Sequence, residues 1–181
     1  MTQAEFQEWL NAHGQQVEVD GIIGPKSREA TIAAFTNLCA EAVTGGTITI
    51  LPAGLGVTEK QMRAVAQVES SGGGFDNEGR PKILFERHKF HSATGGKYST
   101  TSYSNPKSGG YNEDSWEKLT HAIGKDVDAA FASASWGKFQ VMGFHWEALG
   151  YPSSLEMAYT SVISEAAHYE MLVRYVEDLS A

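Results

Sequence analysis

Val65-Ala66-Gln67-Val68-Glu69-Ser70-Ser71-Gly72-Gly73-Gly74 places a glutamate at the end of an apolar run and follows it with three glycines. Read back from Glu69, residues 58–70 have the pattern of one amphipathic helix. Thr58 with Gln61 fits a capping box, and the glycines supply a stop. Met62, Val65, Ala66 and Glu69 recur at helical spacing and share one face. The carboxyl of Glu69 is therefore expected to point where the apolar stripe points. Burial disfavours the charged form of a carboxylate and raises its pKa. A glutamate held protonated near neutral pH suits the donation of a proton to a leaving oxygen. The competing reading is a surface glutamate on a helix turned slightly toward solvent.

A second carboxylate lies in different company. Between Arg80 and Lys97 the basic residues Arg80, Lys82, Arg87, Lys89 and Lys97 face one acid, Glu86, for a local balance of +4. A carboxylate in a basic neighbourhood tends to stay ionised. The functional reading is a basic patch facing an anionic polymer, with Glu86 kept negative within it. The alternatives are a solvated hairpin with scattered charge, or a structural ion pair of Glu86 with Arg80 or Arg87.

Composition narrows the class. A chain of 181 residues with 41% hydrophobic residues can build a core, either as one medium domain or as a small module joined to a larger one. No apolar run approaches the roughly 20 residues needed to span a bilayer, so membrane insertion is not expected. The start, Met1-Thr2-Gln3-Ala4-Glu5-Phe6, lacks the basic-then-apolar pattern of a secretory signal. The lone Cys39 excludes an internal disulfide, and no Cys and His cluster has zinc-ligand spacing. A net charge of −8 argues against nucleic acid as the main partner.

Residues 1–43 read as a small helical module. Thr2 with Glu5 forms another capping box, and Phe6, Trp9 and Leu10 fall on one face. His13-Gly14 closes that helix. Asp20-Gly21-Ile22-Ile23-Gly24-Pro25 makes tight turns, and Pro25 suits the start of a second helix whose core side includes Ala30, Ala33, Ala34 and Leu38. So small a module buries little area alone and is expected to lean on a neighbour. Residues 44–56, rich in Gly and closed by Pro52, read as a linker, with Thr47–Ile50 able to form a short strand. Beyond it, residues 57–181 form the larger domain. There Pro81–Phe90 is an extended segment in which helix and strand are hard to separate, and residues 93–111 make a long polar loop carrying Tyr98, Tyr103 and Tyr111. Residues 112–123 are expected to form a helix stopped by Gly124, and Asp126 to cap a short one. Ser153 with Glu156 starts a final helical region to about Leu179, with Val162, Ala166, Tyr169, Val173 and Val176 on one face.

Two resemblances organise these motifs. Gln7-x-Trp9-Leu10-Asn11, Asp20-Gly21-x-x-Gly24-Pro25 and Ala33-Ala34-Phe35 resemble the three-helix peptidoglycan-binding module found beside wall-degrading enzymes, which implies wall-binding roles for Trp9, Asp20, Gly21, Gly24 and Pro25. A plain structural helical hairpin has the same pattern. Glu69-Ser70-Ser71-Gly72, Lys82–His88 and Ser133-Ala134-Ser135-Trp136-Gly137-Lys138-Phe139-Gln140-Val141-Met142-Gly143 resemble, in that order, the phage endolysin N-acetylmuramidase family. The last block is also similar to the cleft segment of goose-type lysozymes and lytic transglycosylases.

The resemblance implies a mainly α fold, with the wall-binding module followed by a lysozyme-like α+β catalytic domain. It implies that Glu69 is the general acid and Glu86 the second catalytic carboxylate of a peptidoglycan hydrolase. That hydrolase would cleave the β-1,4 bond between N-acetylmuramic acid and N-acetylglucosamine. The two predicted pKa shifts run in opposite directions, as paired glycosidase carboxyls require. A carboxyl separation of about 6.5–9.5 Å, implying inversion, is expected over about 5–5.5 Å. Trp136, Phe139, Tyr103 and Tyr111 are candidates for a sugar-stacking wall, although residues of this kind are more often simply core. Gln140 is placed to bond an N-acetyl group, with Ser70 and His88 as further substrate contacts. His88 and His91 have no third ligand in view, and no cofactor is implied. The family also implies synthesis in the host cytoplasm, release to the wall through a separate holin-type protein, and a monomer. Family members extend past this C-terminus and carry a Tyr-Asn-Gly segment absent here, so the catalytic domain reads as a C-terminally truncated form, a natural short variant or a fragment that needs a second piece. A transglycosylase using Glu69 alone, and a non-catalytic wall-binding protein, are the competing functions.

Overall fold

The computed structural model describes residues 1–43, 60, 73–98 and 114–179. Helices α1 (Gln3–Ala12) and α2 (Pro25–Ala34) precede β1 (Ile83–Phe85) and α3 (Arg87–Ala93). Then come α4 (Ser115–Ile123), α5 (Val127–Ala132), β2 (Ala134–Trp136), β3 (Val141–Met142), a 3₁₀ turn at Gly143–His145, α6 (Ser154–Thr160) and α7 (Glu165–Leu179). The strands form one small sheet in the order β1-β2-β3. An α-rich fold with a small sheet is what the lysozyme resemblance implies. The expected helix at 58–70, the strand at 47–50 and most of the 93–111 loop lie outside the described residues.

The chain divides into two compact units, residues 1–36 with 83–135 and residues 37–82 with 136–181. The first is built around aromatic rings. Phe6 from α1 and Phe35 from the end of α2 both meet Phe131 of α5, at centroid distances of 5.8 and 5.6 Å, and Phe35 meets Trp116 of α4 at 5.5 Å. Residues 1–36 therefore share a core with residues 83–135. Only two helices form within residues 1–43, where the module resemblance implied three. The remaining apolar cover comes from α4 and α5, because α1 and α2 alone cannot enclose Phe6 and Phe35.

Local signals explain the helix ends. Thr2 and Glu5 exchange both bonds of the capping box. Asp114 and Asp126 accept the first free amides of α4 and α5, and Ser153 those of α6. The helix expected from residue 112 thus starts at Ser115, behind its Asp114 cap. The single helical region expected after Ser153 is two helices, interrupted at residues 161–164, where the Ser161 hydroxyl turns back to the Ala158 carbonyl. Leu38 and Ala33 are corrected. Helix α2 ends at Ala34, so Leu38 lies beyond its face and is 81% exposed, and Ala33 faces solvent.

Candidate active site

Glu86 stands where β1 gives way to α3. Its backbone is extended, at φ −102° and ψ 101°, and its side chain makes no capping bond. The Glu86 amide donates to the Ser133 carbonyl at 2.9 Å, and the Glu86 carbonyl accepts from Lys89 and Phe90. Main-chain bonds on both sides therefore hold the residue while its carboxyl stays uncommitted to the helix. That carboxyl is 19% exposed and lies 3.2 Å from Nε2 of His88, which is 50% exposed. A half-buried carboxylate with a titratable imidazole at its rim has the makings of an acid–base group.

The basic patch expected around Glu86 is reduced. Arg80 bonds Asp76 through Nε at 2.8 Å and Glu78 through an Nη at 3.1 Å, so it serves the 76–80 turn. Arg87 is buried, as is Lys118 of α4. Burial, and then the Arg87 guanidinium, lower the Lys118 ammonium below its ordinary value, against an opposing pull from Asp114. Of the five cations, Lys89 and Lys97 are exposed and Lys82 is half-buried.

Trp136 is corrected from a sugar platform to a core residue, because at 1% exposure its ring has no face to offer. Phe139 is half-buried, and its ring meets Tyr169 edge-on at 4.8 Å. Gln140 has φ +52°, a left-handed conformation that is uncommon outside glycine, and its Nε2 donates to the Gly137 and Lys82 carbonyls at 2.8 and 3.2 Å. Its amide nitrogen thus closes the turn after β2, a structural duty that the sequence reading missed. Among the N-terminal residues, Gly21 adopts φ +73° and Pro25 begins α2. Gln7 latches the turn between them. Its Oε1 accepts from the Asp20 and Gly21 amides, and its Nε2 donates to Asp20, Ile22 and Ser27. Trp9 is half-buried and stacks on His13 at 3.8 Å. Glu69, Ser70, Tyr103 and Tyr111 lie outside the described residues. Among the described residues no group of three or more His, Cys, Asp or Glu could hold a metal ion, and no helix is long and apolar enough to cross a membrane.

The turn after β2 leads into a buried polar cluster that the sequence reading did not single out. Lys138, Glu165 and His168 are all buried in the second unit. Its signal in the sequence was a Glu and a His one turn apart on the inward side of an apolar helix.

An α-rich fold that carries a carboxylate at a strand–helix junction, followed by a tight Gly137–Gln140 turn, has the elements of a lysozyme-like glycosidase. Residues 58–181 match the model of the Muramidase (N-acetylmuramidase) family, and the chain belongs to that family. It is accordingly a glycoside hydrolase acting on peptidoglycan. Its structure is similar to one described as the crystal structure of Burkholderia AP3 phage endolysin, with a TM-score of 0.69 and 31% identity, over 97% of this chain and 78% of that one. No curated protein matches the chain.

Proposed function

We propose that this protein is an endolysin-type N-acetylmuramidase that hydrolyses the β-1,4 bond between N-acetylmuramic acid and N-acetylglucosamine, with Glu69 as general acid and Glu86 as general base. The observation that carries the reading is the anchoring of Glu86. Its backbone is fixed by Ser133, and its carboxyl is left half-buried beside His88. The family match spans both glutamates, and the similar solved structure is a phage endolysin. In this scheme Glu69 protonates the leaving oxygen as the glycosidic bond breaks. Glu86 takes a proton from a water that attacks the anomeric carbon from the opposite face, which inverts its configuration. His88 restrains the Glu86 carboxyl toward that water.

Wall attachment is the proposed role of the 17–27 surface. A groove of about 380 Å³ there is lined by Val17, Ile22 and Pro25 together with Glu18, Asp20 and Lys26. Ile22 is exposed at its edge. Apolar contact with polar groups around it suits the mixed chemistry of a muropeptide. Ile22→Asp is expected to reduce retention on insoluble wall while leaving cleavage of short soluble glycans unchanged.

The catalytic reading is tested by digesting purified peptidoglycan and analysing the muropeptides by mass spectrometry. Reducing ends are expected in the wild-type digest. Glu69→Gln and Glu86→Gln are each expected to lower turnover at least about a hundredfold in folded protein. Anhydro-muramyl ends, one water lighter, together with an active Glu86→Gln enzyme, would establish a transglycosylase instead.

A further inference from the structure

Lys138, Glu165 and His168 form a buried cluster that the proposed chemistry leaves unused. Glu165 Oε1 lies 2.5 Å from Lys138 Nζ and also accepts from the Gly74 amide at 3.3 Å. Its Oε2 accepts from the Val43 amide at 2.9 Å. Burial pushes the Glu165 carboxyl up, but Lys138 and the Val43 and Gly74 amides outweigh it, and the net shift is downward. His168 accepts the Lys138 amide at Nδ1 (3.2 Å), so the proton of its neutral ring sits on Nε2, which donates to the Ser161 carbonyl at 2.7 Å.

Two glycines press on that ring. A Cβ added at Gly74 would stand 2.2 Å from His168 Nδ1, and one at Gly137 would stand 2.8 Å from the ring carbons. Phe75 stacks on the ring at 4.9 Å. The same two glycines bind both backbone groups of Lys82: its amide donates to the Gly74 carbonyl at 2.9 Å, and its carbonyl accepts the Gly137 amide at 2.8 Å. The imidazole and the ion pair thus fix the backbone at Gly74, where the chain arrives shortly after Glu69, and so help fix the hairpin that ends at Lys82. Stability alone is a weak reason for such a pair, since buried ion pairs exchanged for apolar residues of similar volume often cost nothing. Orientation of the bonded amides is what an apolar replacement would not supply.

We propose that Lys138, Glu165 and His168 are positioning residues for the glycosidase reaction, setting through the Gly74 backbone where the chain presents Glu69 to the scissile bond. The inference rests on Glu69 being the general acid. Its test replaces the ion pair by apolar residues, Lys138→Met with Glu165→Leu, which removes the bonds to Gly74 and Val43 without leaving a lone buried charge. Steady-state cleavage of short soluble glycans is measured beside thermal unfolding, with Glu69→Gln as the control.

An ångström of misplacement can cost about a hundredfold in rate. A fall in kcat of at least about tenfold is expected, with KM within about threefold and the melting temperature within a few degrees of wild type. His168→Asn keeps an acceptor for the Lys138 amide but not the width of the ring. It is expected to shift kcat in the same direction, and it decides the matter alone if the double variant does not fold. An unchanged kcat in folded variants, with only the melting temperature lowered, overturns the positioning role and leaves Glu69 as the acid. Full activity of Glu69→Gln removes the reading beneath it.

Discussion

His168 keeps its ring neutral because burial penalises the imidazolium more than the Ser161 carbonyl and Glu165 favour it, and its pKa is lowered from 6.5 to about 4. Between those values the unfolded chain binds a proton that the folded chain refuses. The contribution of the neutral ring is therefore complete above about pH 6.5, is lost progressively as pH falls toward 4, and is constant below that. At about 1.4 kcal/mol per pH unit the loss comes to about 3 kcal/mol. Glu165 acts in the same direction, since its lowered pKa contributes stability that disappears on acidification. Denaturant unfolding at both ends of this range should show wild type losing about 3 kcal/mol more than His168→Asn, and equal losses would contradict the burial argument. Gly74→Ala drives a methyl into the same ring and should destabilise by about 2–3 kcal/mol in thermal unfolding. Little of this was legible in the sequence, where the only signal was the one-turn spacing of Glu165 and His168 on a helix whose buried face was drawn through Val162, Ala166, Tyr169, Val173 and Val176. Trp136 was left between two readings for a related reason. Aromatic identity fits both a sugar wall and a core, and only packing separates them.

Helix caps are where the sequence was most readable, because the partners lie within a turn of each other. Thr2 with Glu5, Asp126 before α5 and Ser153 before α6 act as their spacing implied. Asp126→Ala should cost about 1 kcal/mol, since it orphans the Ala129 amide, and Asp114→Ala should cost a similar amount at α4. Denaturation midpoints at neutral pH check both, and activity of the folded variants should be unchanged. Pro81–Phe90 was ambiguous because a strand and a helix meet inside it, and Glu86 occupies the junction. That ambiguity coincided with the candidate site, as it does where a functional residue must leave one regular element before entering the next. The end of α2 was misjudged for a simpler reason. Its apolar spacing continues to Leu38, but Phe35 already turns out of the helix at φ −93° and ψ 11°.

Across the whole molecule, the order of the Glu69, Glu86 and Ser133–Gly143 blocks was enough to reach the family, whereas the partner of the N-terminal segment was not visible in any local pattern. Phe6 and Phe35 need cover that their own two helices do not supply, and the rings that give it, Phe131 and Trp116, lie 81 to 125 residues away along the chain. The consequence concerns truncation. Phe6, Leu10 and Phe35 are fully buried in the unit that residues 1–36 form with residues 83–135. Burying each such side chain is worth about 1.5–3 kcal/mol, so removing all three forfeits about 5–9 kcal/mol. That is comparable with the about 5–15 kcal/mol that holds a typical domain folded. Deletion of residues 1–36 should therefore unfold this unit rather than release a working catalytic piece. Because Glu86 belongs to the same unit, cleavage of short soluble glycans should disappear together with the aromatic near-UV circular dichroism. A truncated protein that keeps a cooperative melt and cleaves soluble glycan at close to the full-length rate would show that residues 1–36 are an independent attachment module whose contacts with Phe131 and Trp116 are dispensable.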